Sequence, residues 1–236
     1  MSKKKYRGKI CVYCADAPAT AGDHVFAREF FLKEDRNNLP QVPACDVCNG
    51  AKAQLEHYLT ALLPFGGRHS AAGDNLELVP RRLAKNVKLH RTLAANWGRA
   101  RSKEDGVYLS SPTLPVDEVQ LNKLLSLIVR GLVWFHWETL LTRDHFMDVM
   151  ALTEAGEHAF DKLMGSPDLN SGIQCDLGNG TVCYEGKQGI NQPEITVWRI
   201  LMYGGLKFAD PENRGESSSV IAAMTGPARL RDQMNG

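Results

Sequence analysis

Apolar positions along the chain change period several times, and each change marks an element. Ala51, Leu55, Tyr58, Leu59 and Leu62 recur at steps of three and four, which predicts a helix from Asn49 that ends near Pro64 and Gly67. Residues 121–141 are the most apolar stretch, and a long buried helix is predicted over 117–141. Lys123, Arg130, His136 and Glu138 interrupt that stretch and speak against a membrane span. Residues 144–164 predict another helix, with Thr142 as N-cap and Pro167 beyond the end. Between these lies 81–103, where Leu83, Val87, Leu89 and Leu93 interleave with basic residues, and a basic amphipathic helix is predicted. Residues 68–74 predict a polar loop, and 110–115 a turn-rich break. Over 173–208 the pattern becomes strand-like. Gly178, Asn179 and Gly180 form a hairpin signal between 181–184 and the preceding run, 195–203 has strand composition, and Gly204-Gly205 closes it. The tail beyond Ala209 is polar, and Pro227 limits any helix there.

The N-terminal part has a different texture. A short strand is predicted over 9–13, a loop over 16–22, and a second strand with a turn over 23–31. Pro40 and Pro43 hold the following residues extended. The fold class expected is α+β, with a small N-terminal core over 1–66. A mainly helical accessory region over 67–236 follows, with a β-hairpin near 173–208. Hydrophobic and charged contents of 43 % and 23 % are those of an ordinary globular chain, neither disordered nor membrane-embedded. The net charge of +1 means that any basic surface must be local. The basic segment 1–9 lacks an apolar core for export, so a cytoplasmic location without membrane attachment is the expectation.

Cys11 and Cys14 form one C-x2-C pair and Cys45 and Cys48 another, whereas Cys175 and Cys183 stand apart. In a chain with no export signal, two such pairs suit metal ligation better than disulfides or free thiols. Four thiolates close a tetrahedral zinc shell and leave no position for substrate, so the expected zinc is structural. It would supply folding free energy that a small apolar core lacks. Cys175 and Cys183 are too weak a pair to predict a metal site.

Asp23-His24-Val25 lies between the cysteine pairs, and Asn49 follows the last cysteine directly. The run Cys11-Val-Tyr-Cys14, then Asp23-His24-Val25, then Val42-Pro-Ala-Cys45-Asp-Val-Cys48-Asn49-Gly-Ala-Lys52 resembles zinc-containing HNH endonucleases, in particular the endonuclease VII type with Asn after its last cysteine. The resemblance spans about residues 9–60 and implies that the core over 1–66 is a small zinc-stabilised ββα-metal, treble-clef-like nuclease core. It implies a phosphodiester hydrolase that cuts DNA with a catalytic Mg²⁺ or Mn²⁺ beside the structural zinc. His24 would be the base, since an imidazole with a pKa of about 6.5 accepts a proton from water near neutral pH. Asp23 and Asn49 offer hard oxygen ligands for the divalent ion, which would steady charge on the departing 3′ oxygen. Asn49 also lies where a helix start favours phosphate, although Asn at that place is equally an ordinary N-cap. The chain departs from the family at three points. The middle Asn is expected closer to the second cysteine pair than Asn37 and Asn38 lie; Ala27 stands where Pro is common; and Asn49 stands where many members have His.

Further contacts are expected from charge. Lys52 is near the site and suits a phosphate contact. Arg81, Arg82, Lys85 and Lys88 lead a run of 81–103 that also holds Arg91, Arg99, Arg101 and Lys103, and phosphate attraction competes there with a merely solvated face. Lys3, Lys4, Lys5, Arg7 and Lys9 form a second cluster. His57, two turns beyond Asn49, is expected at the surface or behind the ligands. Trp134, Phe135, His136 and Trp137 are expected in the core rather than as a stacking platform, and Trp198 likewise. DNA is the expected partner, the same chemistry is open to RNA, and the C-terminal part is open to a protein partner or a homodimer. The alternative function is a zinc-stabilised module that binds nucleic acid or protein without cutting. A setting in bacterial or phage defence is compatible with the resemblance.

Overall fold

The computed structural model describes residues 3–67, 69–84, 87–95, 98–104, 107–113, 116–206 and 217–234. After the short helix α1 (Lys3–Tyr6) come strands β1 (Ala21–His24) and β2 (Gln41–Ala44), then helix α2 (Asp46–Leu62). Helices α3 (Ser70–Ala84) and α4 (Val87–Ala95) precede a hairpin of β3 (Gly98–Glu104) and β4 (Val107–Thr113). Helix α5 (Glu118–Trp137) leads to β5 (His145–Thr153), α6 (Glu154–Met164), β6 (Ile173–Leu177), β7 (Val182–Gln188), β8 (Thr196–Met202), β9 (Ser217–Pro227) and α7 (Ala228–Met234). The chain is therefore mixed α+β. β1 and β2 pair antiparallel, and five further strands form an antiparallel sheet in the order β5-β9-β8-β7-β6.

α5 forms because its apolar face is continuous and its start is capped: the Asp117 carboxylate accepts from the Gln120 amide at 3.1 Å. That face lies between the two β layers. Leu124, Leu125, Ile128 and Leu132 share one buried cluster with Val25, Phe26 and Leu59 from the N-terminal part. Tyr184, Trp198 and Ile200 of the sheet belong to the same cluster, so a single core runs across residue 66. Gly131 permits the closest approach: a Cβ there would lie 2.9 Å from Cγ2 of Val25. The opposite face of the sheet packs Val197, Val220 and Ala222 on Phe160 and Met164 of α6. Trp198 is fully buried and stacks on Trp137 with centroids 5.0 Å apart, and Nε2 of His136 meets the Tyr184 hydroxyl at 3.0 Å. Trp198 and Tyr184 are core, Trp134, His136 and Trp137 are half-buried, and Phe135 is 43 % exposed.

Several expected elements differ. The segment 144–164 is a strand followed by a helix, and the cap is Thr153, whose hydroxyl accepts from the Gly156 amide at 3.1 Å. Thr142 instead forms a turn, its amide donating to Nδ1 of His145 at 3.1 Å. The basic stretch is not one helix: α3 ends at Ala84, α4 at Ala95, and β3 pairs antiparallel with β4 where helix and break were expected. The loop predicted at 68–74 is largely the first turn of α3, where buried Asn75 donates to the carbonyls of Ala71 and Phe30. The strand predicted at 9–13 is reduced to a single bridge between Ile10 and Pro18. The C-terminal part is far richer in β-structure than expected, because β9 from the polar tail inserts between β5 and β8. The hairpin around Gly178–Gly180 is as predicted.

Candidate functional site

Two tight turns build the thiol cluster. In the first, Ala15 takes a left-handed conformation (φ 54) and donates its amide to the Cys11 carbonyl at 2.8 Å. In the second, Cys45 caps α2 and its carbonyl accepts from Asn49 N at 2.9 Å. The turns are stitched together by Val12 N to Pro43 O at 3.0 Å. As a result the Sγ atoms of Cys11, Cys14, Cys45 and Cys48 all lie within 4.8 Å of one another. A tetrahedral four-sulfur shell with metal–sulfur bonds of about 2.3 Å needs sulfurs about 3.8 Å apart, so the four could hold a metal ion and are compatible with structural zinc. Burial would raise the Cys14 thiol, but the amides of Ala17 and Asp16 and the neighbouring thiols bring it down to about 7. Burial raises Cys11, and burial with the thiols of Cys45 and Cys14 and the charge of Cys11 raises Cys48. A bound metal ion would offset this burial and crowding by favouring the four thiolates.

His24 ends β1, directly opposite Gln41 of β2. The Gln41 amide nitrogen lies 2.9 Å from Nε2 of His24, so the partner of the imidazole comes from the facing strand. Burial, and then the charge of Arg28, lower the His24 pKa below its ordinary value, which keeps the ring neutral near pH 7. Asp23 precedes it. Its Oδ2 accepts from the Tyr13 hydroxyl at 2.7 Å and pairs with the Lys52 ammonium at 3.1 Å. Its Oδ1 makes no hydrogen bond among the described residues. Burial, and then the Asp23 charge, hold Tyr13 protonated and therefore a donor. Lys52 also donates to the His24 carbonyl at 2.7 Å and pairs with Glu56, whose carboxyl burial pushes up to about 7 against the pull of Lys52.

Asn49 lies in the first turn of α2, partly exposed, and its side chain makes no hydrogen bond among the described residues. Asn49, Lys52 and Glu56 stand at helical steps of three and four and share a face, and Lys52 reaches Asp23 from that face. A hard divalent cation that takes one carboxylate oxygen, one amide oxygen and waters is chemically compatible with Asp23 and Asn49.

Other expected contacts fall elsewhere. Lys52 is fully buried and its ammonium is engaged, so it is not a phosphate contact in this arrangement. Arg82 is likewise structural: it donates to Thr60 O at 2.7 Å, Glu29 O at 2.8 Å and Asn75 Oδ1 at 2.9 Å. These bonds clamp the 3-10 turn Arg28–Phe30, which Tyr203 also grips through the Phe30 carbonyl at 2.8 Å. Arg81 is exposed on α3, Lys88 lies in α4, and Lys85 is outside the described residues. Asn37 and Asn38 are exposed, and Asn38 serves a left-handed turn (φ 58). His57 is exposed. Cys175 faces Tyr184 and Cys183 faces Asp176 across the β6–β7 ladder, so the two thiols leave opposite faces. Sequence reasoning missed Tyr13, Gln41 and Glu56. Gln41 had a signal, because a hairpin between the two cysteine pairs sets some residue of the second strand opposite His24. Among the described residues no helix is long and apolar enough to cross a membrane.

No protein-family model matches the chain, and no curated protein or solved structure matches it either.

Proposed function

We propose that the chain is an HNH-class endonuclease that hydrolyses phosphodiester bonds in DNA, with a structural zinc on Cys11, Cys14, Cys45 and Cys48. The observation that carries the reading is the juxtaposition of a neutral, half-buried His24 with Asp23 on one strand, and of that strand with the thiol-anchored start of α2. In this mechanism His24 takes the proton of the attacking water. The Gln41 side chain, 2.9 Å from Nε2, holds that edge of the ring and fixes it against rotation. Asp23 and Asn49 would hold a Mg²⁺ or Mn²⁺ ion, which supplies Lewis-acid stabilisation of the departing 3′ oxygen. Arg28, exposed four residues beyond His24, adds positive charge where a phosphate would approach.

The test is a plasmid-cleavage time course on zinc-loaded protein with Mg²⁺, Mn²⁺ or EDTA, for the parent and for His24→Ala. Nicking or linearisation that needs the divalent ion and vanishes in the variant is expected. A zinc-loaded parent that retains DNA in a gel shift yet leaves supercoiled plasmid intact would replace this reading with a binding module.

A further inference from the structure

Lysine is almost never fully buried unless paired, yet Lys52 has no exposed surface and sits between the two halves of the candidate site. An ammonium has three donors, and each meets an acceptor: Oδ2 of Asp23, the His24 carbonyl, and the Glu56 carboxylate. Tyr13 adds a second donor to the same Asp23 oxygen and lies with its ring 5.7 Å from the ammonium. Oδ2 is thus held from two sides while Oδ1 keeps its ligand capacity. Lys52 stands three residues beyond Asn49 on the helix whose first turn carries Cys48, so the ammonium joins that helix to the backbone of the base. It reaches across to a strand 28 residues earlier in the chain.

We propose that Lys52 is a positioning residue: together with Tyr13 it fixes the Asp23 carboxylate by one oxygen, reserves the other for a divalent cation, and sets the backbone of His24. The inference rests on the metal-dependent reading above. It assigns to Lys52 and Tyr13 the role that outer partners of metal-binding carboxylates commonly play, which is orientation. Asp23, Glu56 and Lys52 together carry one net negative charge when ionised, so the site would attract a cation weakly and leave it hydrated enough to accept a phosphate oxygen.

The test compares Mn²⁺ binding, followed by loss of the free-ion EPR signal, for the zinc-loaded parent, Tyr13→Phe and the double variant Lys52→Met with Glu56→Gln. At a pH well above the value of about 7 to which burial pushes Glu56, the parent and the double variant each carry one net negative charge around Asp23, so a change in Mn²⁺ affinity there reports geometry rather than charge. It should weaken Mn²⁺ binding by about 10- to 100-fold, the usual cost of losing an outer partner, with zinc content and cooperative melting retained. Tyr13→Phe, which removes one hydroxyl and keeps the ring, should weaken it in the same direction and serves if the double variant does not fold. Parent-like Mn²⁺ affinity in folded Tyr13→Phe and in a folded double variant would overturn the proposal, as would a parent that binds no Mn²⁺. Weakened Mn²⁺ binding in the variants beside a parent that cuts no nucleic acid would uphold the role of Lys52 and sink the nuclease reading.

Discussion

Replacing Gly131 by Ala sets two known effects against each other at the seam between α5 and the strand that carries His24. In a helix interior, Ala is better than Gly by about 1 kcal/mol. At Gly131 the new Cβ would lie 2.9 Å from Cγ2 and 3.1 Å from Cγ1 of Val25, well inside the optimum of about 3.5–4.0 Å for carbon pairs. Val25 is fully buried. Its branched side chain is stiff at χ1, and rotation exchanges one crowded methyl for the other. Overpacking of this kind costs about 1–3 kcal/mol, so the net expectation is a loss of roughly 1 kcal/mol, or about 2–4 °C in Tm for a chain of this size. Val25→Ala removes both methyls at a transfer cost of about 0.8 kcal/mol each, plus a cavity term. In that background Gly131→Ala should instead stabilise, filling the space it earlier lacked, and the two changes should couple by about 2 kcal/mol in a double-mutant cycle. Urea unfolding of the four zinc-loaded proteins measures this directly. A single Gly131→Ala variant that is more stable than the parent by the full helix-propensity gain would refute the close approach of α5 to Val25. Because Val25 follows His24 in the chain, cleavage by Gly131→Ala should fall further than its small loss of folded population explains.

Cys45→Ser should lose metal and melt at markedly lower temperature; a variant that keeps one zinc by mass spectrometry and the parental Tm would disprove the thiol site. Gln41→Ala should slow cleavage by about 10- to 100-fold with zinc and fold intact, as loss of an orienting partner does, and an unchanged rate would remove Gln41 from the mechanism. The base works only when neutral, so activity should rise with pH and level off above an apparent pKa below about 6.5; an acid limb centred above that value contradicts the burial and Arg28 effects on His24. Arg82→Ala should cost about 3 kcal/mol, since it strips charged donors from the partly buried acceptors Thr60 O and Asn75 Oδ1 and from the exposed Glu29 O. Arg81→Glu, by contrast, should leave the melt unchanged and alter only the salt dependence of DNA binding, and equal destabilisation by the two would reverse this assignment.

By itself the sequence determined whatever depends on residues close in the chain. The C-x2-C spacing predicts paired thiolate turns because two cysteines on one turn are held together by local backbone geometry. The periodic apolar face of α2, the long apolar run of α5, and the Gly178-Asn179-Gly180 turn are likewise local signals, and each has its element in the structure. Tertiary structure decided what depends on partners far along the chain. Residues 145–153 alternate too loosely to distinguish strand from helix, and pairing with β9 made them β5. β9 itself, with its run of Ser and small apolar residues, reads as tail until β5 and β8 flank it and satisfy its backbone. The β3–β4 pairing overrode a helical pattern because a ladder between two segments is invisible within either one. Lys52 and Arg82 look from sequence like exposed phosphate contacts. Burial of such charges is tolerated only where oxygens from distant residues surround them, as Asp23, the His24 carbonyl and Glu56 surround Lys52, and as three oxygens surround Arg82. The identity of the candidate base, ligands and thiols was thus legible from the chain, whereas the groups that orient them were set by strand register and helix packing.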